Sequence, residues 1–234
     1  MATADLHIHT HYSFDGTASV ARVLAAAQKA GLDLIAITDH DVIEGALEAE
    51  ALAPQYGIAV IPGIEVTTAE GDLLVYNVRQ ALPAKKSLLH TLRLAAEMGG
   101  TAVAAHPLSS GWGMNSVSHY SVIAALRDEV AARTLIGIET YNATALDQKA
   151  NHAAAKLANH TGLACFGNSD SHTTGTIGAG RTVFAGHGWA GLLASAHARQ
   201  TMAMVARQPR IADVLASWAG AYARRAIPFI PSEA

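Results

Sequence analysis

Imidazole and carboxylate side chains gather in five short clusters along this chain, with no thiolate among them. The first reads Asp5-Leu6-His7-Ile8-His9-Thr10-His11-Tyr12-Ser13-Phe14-Asp15-Gly16. Residues two apart on a strand point to one side, so His7 and His9 are spaced to share a cation. The turn-forming Ser-Phe-Asp-Gly run ends that alternation before His11 can continue it. The second cluster, Thr38-Asp39-His40-Asp41, directly follows the apolar Leu34-Ile35-Ala36-Ile37. A buried strand that stops in four polar groups is costly unless they find partners. His40 is then a candidate ligand, Asp41 suits a helix cap, and Asp39 can orient a ligand. Third is Glu65, a carboxylate inside the apolar run Pro62-Gly63-Ile64-Glu65-Val66. Such a group is rarely buried alone, and between two cations it can bridge as a neutral histidine cannot. His106 in Ala104-Ala105-His106-Pro107 is the fourth, and Asp170 with His172, again two apart, form the fifth.

Mixed nitrogen and oxygen donors suit Zn²⁺, Mn²⁺ or Fe²⁺. Two such cations about 3.5–4 Å apart clamp the attacking and leaving oxygens of a displacement at phosphorus and acidify a bound water.

The elements that must position these donors alternate between short apolar runs and amphipathic stretches, the pattern of βα units on a parallel sheet. Strands are expected at Leu6–His9, Leu32–Thr38, Ile58–Ile61, Leu73–Val78, Thr101–Ala105, Leu135–Glu139, Leu163–Gly167 and Arg181–Phe184. Helices are expected at Ser19–Ala30, Val42–Tyr56, Ala84–Met98, His119–Arg133, Ala143–His160, Trp189–Ala198 and Ile211–Arg225. Gly31 and Gly57 stand where a helix would stop in a left-handed residue. The candidate ligands fall at or just beyond C-terminal strand ends, where parallel α/β folds build their sites. The regular alternation favours a closed or nearly closed barrel over an open doubly wound sheet. No linker, repeat or low-complexity stretch divides the chain, so one domain over 1–234 is expected, with helical closure at about 207–226.

Half of the 234 residues are hydrophobic, enough for a full core. Charged residues make up 15% and the net charge is −3, which gives no footprint for long nucleic acid. A short anionic substrate is compatible, because bound cations supply local positive charge. The single cysteine, Cys165, excludes an intramolecular disulfide. With neither a signal-like N-terminus nor an apolar run long enough to span a membrane, the expected location is the cytoplasm. The sequence carries no signal for an oligomeric state.

The five clusters, in this order, resemble the PHP (polymerase and histidinol phosphatase) family. Asp5–His9 resembles its first motif, Thr38–His40 its second, Glu65 its bridging carboxylate, His106 its third and Asp170–His172 its fourth. The similarity runs from about Ala4 to Arg181. It implies an α/β fold, a distorted, TIM-like (β/α)7 barrel, with two or three divalent metal ions at the C-terminal ends of the strands, and phosphoester hydrolysis. Carried over by position, His7, His9, Glu65 and Asp170 would hold one metal, Glu65 and His106 a second, and Asp15, His40 and His172 a third. The sequence departs from the family at Gly71-Asp72-Leu73-Leu74, where small members carry a histidine. Either Asp72 would ligate the second metal in its place, or that metal would be weakly held or absent.

The expected activity is therefore hydrolysis of a phosphoester on a small molecule or short nucleotide. Glu65, Asp170 and His172 are the candidate catalytic groups, and the role of proton donor to the leaving oxygen stays open between the last two, because a ligand to a cation donates poorly. Arg181, beside a glycine-rich turn, is a candidate to grip a phosphate oxygen. Asn142 and His119 are candidates to line the pocket, and Gly111–Ser118 reads as a substrate-facing loop. A catalytically weak metal-binding or regulatory module, favoured by Asp72, and C–N bond hydrolysis on the same barrel are the alternatives.

Overall fold

The computed structural model describes residues 1–110, 114–145, 148–215 and 219. The strands are β1 (Ala2–Asp5), β2 (Leu34–Ile37), β3 (Ala59–Thr68), β4 (Gly71–Tyr76), β5 (Thr101–Ala104), β6 (Leu135–Asn142), β7 (Ala164–Asn168), β8 (Gly180–Phe184) and β9 (Met202–Val205). The helices are α1 (Val20–Lys29), α2 (Glu44–Tyr56), α3 (Leu88–Glu97), α4 (His119–Ala125), α5 (Glu129–Thr134), α6 (Gln148–Thr161) and α7 (Gly188–His197). The sheet runs β7-β6-β5-β4-β3-β2-β1-β8-β9.

The fold is α/β, with the sheet curled into a nearly closed, TIM-like barrel. Edge strand β7 comes round to β1, and just beyond their C-terminal ends Ile8 bridges Ser171 and the His9 N–H donates to the Ser171 carbonyl at 2.8 Å. Lower down, the Thr182 hydroxyl on β8 binds both the N–H and the carbonyl of Gly167, each at 3.0 Å. A side chain thus closes what no backbone ladder does.

Period-two alternation sorts the strand residues between two apolar layers. Leu34, Ala36, Leu74, Tyr76, Val103 and Phe166 fill the barrel interior, where Leu192 and Ala196 of α7 pack against them. Ile35, Ile37, Leu73, Val75, Ala102 and Ala104 face outward and are covered by helix residues such as Val23, Leu24 and Leu92.

The structure departs from the expected elements in ways that matter for the site. β4 pairs antiparallel with both β3 and β5, and β8 antiparallel with β1 and β9, so the sheet is mixed rather than parallel. β3 continues through Pro62-Gly63 to Thr68 and carries Glu65 in its interior. The first strand ends at Asp5, before the histidines expected on it. Leu6 belongs to the barrel interior and Ile8 to the outer layer, so His7 and His9 flank an outward residue beyond the strand. The single helix expected over His119–Arg133 is two, because the Asp128 side chain accepts the Ala131 N–H and caps α5. Strand β9 was not expected. Ile211–Leu215 is helical, and most of the closing helix expected to Arg225 lies outside the described residues. Among the described residues, no helix is long and apolar enough to cross a membrane.

Candidate metal centre

Glu65 projects from the middle of β3 into the upper barrel and is completely buried. Its Oε2 lies 3.0 Å from His7 Nε2, 3.2 Å from His9 Nε2 and 3.4 Å from His40 Nδ1, while Oε1 lies 3.2 Å from His106 Nε2. Four imidazoles from three other chain segments thus converge on one carboxylate. Asp170 brings a second, with Oδ1 3.4 Å from His7 Nε2 and 3.3 Å from His9 Nε2. Asp15 brings a third, with Oδ2 3.2 Å from His40 Nε2 and 3.1 Å from His172 Nε2.

Second partners fix the tautomers. His172 Nδ1 lies 3.0 Å from the Asp170 carbonyl, which only accepts, so Nδ1 carries the proton and Nε2 faces Asp15. His7 Nδ1 lies 3.1 Å from Glu139 Oε1, and Nε2 is thereby aimed at Glu65 and Asp170. The approach of the backbone is strained. His106 and Asp170 have φ of 24° and 53°, in the left-handed region that costs a non-glycine residue about 1–3 kcal/mol.

So much titratable charge below the surface displaces the pKa values. Burial alone would lower that of His7, but Asp170, Glu65 and Glu139 outweigh it and hold the ring well above its ordinary value. Burial and His172 push His9 down, yet Asp170 and Glu65 raise it to about 8. His40 is raised to about 9 by Glu65 and Asp15 against burial. The carboxyls of Glu65, Asp170 and Asp15 resist burial in the opposite sense, held well below the carboxylate range by the facing histidines. Asp72 differs, since burial and the Glu65 charge raise it to about 6.

The donor set fits divalent cations. Both ring nitrogens of His9 and Nδ1 of His40 are buried without a directed hydrogen bond, although carboxylate oxygens lie within 3.2–3.4 Å of His9 Nε2 and His40 Nδ1. Buried ring nitrogens that face carboxylates without bonding them are what a coordination site leaves when its cation is not counted, and a completed hydrogen-bond network would not leave them. Four groups have donor atoms within 4.8 Å of one another: His7 with His9 and Asp170, His7 with Glu65 and His106, His9 with Asp15, His40 and His172, and His40 with Glu65 and Asp72. Every residue expected to ligate a metal therefore lies in one connected cluster.

The residues expected to touch substrate fall differently. Asn142 is buried at the end of β6 and donates to Glu139 Oε2 and Asp170 Oδ2, both at 3.0 Å, so it holds carboxylates rather than lining a cleft. Arg181 is not brought to the cluster. Its guanidinium donates to the Gly178 and Ala30 carbonyls at 2.8 and 2.9 Å and ties the turn before β8 to the end of α1. His119 is exposed at the start of α4, its ring against Tyr120. Of the loop expected over Gly111–Ser118, residues 111–113 lie outside the described set. Asn115 donates to Asp72 Oδ1 at 2.8 Å.

Sequence reading missed Glu139. It is fully buried, and it accepts from the His106 N–H at 2.7 Å and from Asn168 Nδ2 at 2.9 Å besides meeting His7. The signal that marked Glu65, a carboxylate in an apolar run, is equally present in Leu135-Ile-Gly-Ile-Glu139.

An uncharacterised protein of Methanocaldococcus jannaschii is 32% identical over 161 residues, 64% of this chain and 88% of that one. A 3′,5′-nucleoside bisphosphate phosphatase of Chromobacterium violaceum is 36% identical over 98 residues, 42% of this chain but only 34% of its own length. Among solved structures, a two-domain protein of Bacteroides vulgatus containing a predicted PHP-like metal-dependent phosphoesterase superimposes with a TM-score of 0.69 at 21% identity, over 87% of this chain and 64% of that one. The PHP domain model matches residues 5–223, from the first aspartate of the cluster to well beyond its last histidine, and the chain belongs to the PHP domain family.

Proposed function

We propose that this protein is a metal-dependent phosphoesterase acting on a small phosphorylated molecule or short nucleotide through two or three divalent cations. The observation that carries the reading is the Glu65 carboxylate, with imidazole nitrogens 3.0–3.4 Å from its two oxygens on several sides. His7, His9, Glu65 and Asp170 would hold one cation, Glu65 and His106 a second, and Asp15, His40 and His172 a third, with Asp72 within reach of the Glu65 and His40 donors. Bound there, such cations supply Lewis acids for phosphoryl oxygens and an acidified water as nucleophile.

The remaining work falls to the chain. Glu65 fixes the separation of neighbouring sites, and Glu139 fixes the ring of His7. Asn142 orients Asp170, whose carbonyl in turn fixes the His172 tautomer. As ligands to cations, Asp170 and His172 would be poor proton donors, so protonation of the leaving oxygen would fall to a cation-bound water. The buried, water-poor walls strengthen each of these interactions. The chain spans about a third of the Chromobacterium violaceum phosphatase, whose nucleoside bisphosphate substrate supports the substrate class proposed.

Phosphate release by Mn²⁺-loaded protein against phosphomonoesters, cyclic phosphates, nucleoside bisphosphates and short oligonucleotides tests this reading, with product chromatography to detect diester cleavage. Turnover that disappears in His7→Ala is expected. Absence of turnover in protein shown to hold its metals would overturn it.

A further inference from the structure

We propose that Asn115 is a positioning residue of the metal centre, holding the Asp72 carboxylate toward a cation that it would share with Glu65 and His40. The inference rests on the metal-dependent phosphoesterase reading and gives a part in that site to a residue outside the five clusters.

Strand pairing puts Asp72 where a cation could use it. Leu74 lies directly across from Glu65 in the antiparallel pair of β3 and β4 and belongs to the barrel interior. Side chains two apart on a strand share a face, so Asp72 points the same way and is a diagonal neighbour of Glu65. Its carboxylate offers an oxygen within 4.8 Å of donor atoms of Glu65 and His40. Asp72 is 3% exposed, and among the described residues one donor reaches its carboxylate, the Asn115 amide at 2.8 Å. An ionised carboxylate has about four lone-pair sites, so a single donor leaves it largely unsatisfied below the surface. The Nδ1 of His40, 3.4 Å from Glu65 Oε2, is likewise buried without a hydrogen bond.

The segment that presents Asn115 is fixed by other contacts. The Asn115 carbonyl accepts the Asp72 N–H at 2.7 Å, and Ser116 Oγ donates to the His106 carbonyl at 2.8 Å. Val117 is fully buried, and its carbonyl accepts the Leu108 N–H at 3.2 Å. Gly71 has φ of 138°, and a Cβ there would collide with the Val117 backbone. These contacts latch the segment to β4 without help from the amide. What the amide adds is direction for the carboxylate, reaching inward from an exposed residue. Ordering a ligand before its cation arrives removes that cost from binding. A lysine or arginine there would pair with Asp72 and repel a cation, whereas a neutral amide leaves the carboxylate its charge.

The test is Mn²⁺ binding to chelated wild type, Asn115→Leu, Asp72→Ala and the double variant, by equilibrium dialysis and elemental analysis. Thermal melts of each metal-free protein accompany it. Leu keeps the branched shape of Asn and removes the donor. Asn115→Leu is expected to weaken one equivalent of Mn²⁺ by about 10–100-fold, the usual effect of losing a group that orients a ligand. Added to Asp72→Ala, it is expected to change the remaining cations less than about twofold, because the carboxylate it acts through is gone. A lowered Tm with every Mn²⁺ affinity unchanged would make Asn115 a loop latch and overturn the proposal. Weakening that persists in the Asp72→Ala background, or spreads equally over all the cations, overturns it too. If Asn115→Leu does not fold, Asn115→Ala decides by the same measurements. Wild type that binds no Mn²⁺ sinks the phosphoesterase reading and the proposal together, whereas loaded wild type with an unaltered Asn115→Leu sinks the proposal alone.

Discussion

His7 lies between two carboxylates on opposite sides of its ring, Glu139 Oε1 at 3.1 Å from Nδ1 and Glu65 Oε2 at 3.0 Å from Nε2. Glu139 determines which nitrogen keeps the proton, and so which one can give a lone pair to a cation. Partners that orient a metal-binding histidine typically account for about 10–100-fold in metal affinity or activity. Glu139→Gln is therefore expected to weaken cation binding by that order, measured by metal titration of the chelated protein. Unchanged affinity would mean that the ring is held by packing alone.

The raised histidines set a pH dependence that metal reverses. In the metal-free protein, a histidine whose folded pKa exceeds its unfolded value of about 6.5 contributes stability that is fully present below that value. For His9 and His40 it is lost as pH rises through about 8 and about 9. Cations compete with those protons, so loading strengthens as pH rises and releases protons. Thermal melts between about pH 6 and about 9.5 are expected to show falling Tm for chelated protein and a widening gain from added Mn²⁺. Parallel curves would argue against shared donors.

Asp72 gives a count. Its carboxylate groups with His40 and Glu65, and its pKa is raised to about 6 by burial and by Glu65, a position that a cation would relieve. Asp72→Ala is expected to lower the metal content by one equivalent in elemental analysis while leaving the cations held by His7, His9 and Asp170. Full stoichiometry in the variant would confine Asp72 to its bond with Asn115.

Arg181 is expected to matter for stability rather than for turnover. Its two bonds to the Gly178 and Ala30 carbonyls are charge-assisted and half-buried. Arg181→Met should lower unfolding free energy by about 1–3 kcal/mol. In a domain of this size that corresponds to a Tm drop of about 2–4 °C per kcal/mol. KM for the best phosphoester should stay unchanged, and a selective rise in KM would return Arg181 to the substrate.

The sequence alone determined the candidate donors and their order. HxH, Glu65, His106 and Asp170-Ser171-His172 follow apolar runs, and polar groups there need partners whatever the fold, so residue type and position carry the information. It also determined most elements, because alternation and helical spacing are local properties. Tertiary structure decided which donors meet. The antiparallel direction of β4, which brings the Asp72 carboxylate within 4.8 Å of Glu65 and His40, follows from pairing between strands, and no local pattern encodes that direction. The same holds for β9, for the closure of β7 onto β8 through Thr182, and for the bond from Glu139 to a histidine 132 residues away. Arg181 shows the converse. A guanidinium beside a glycine-rich turn has the chemistry to hold phosphate, but its partners are fixed by where α1 ends against β8.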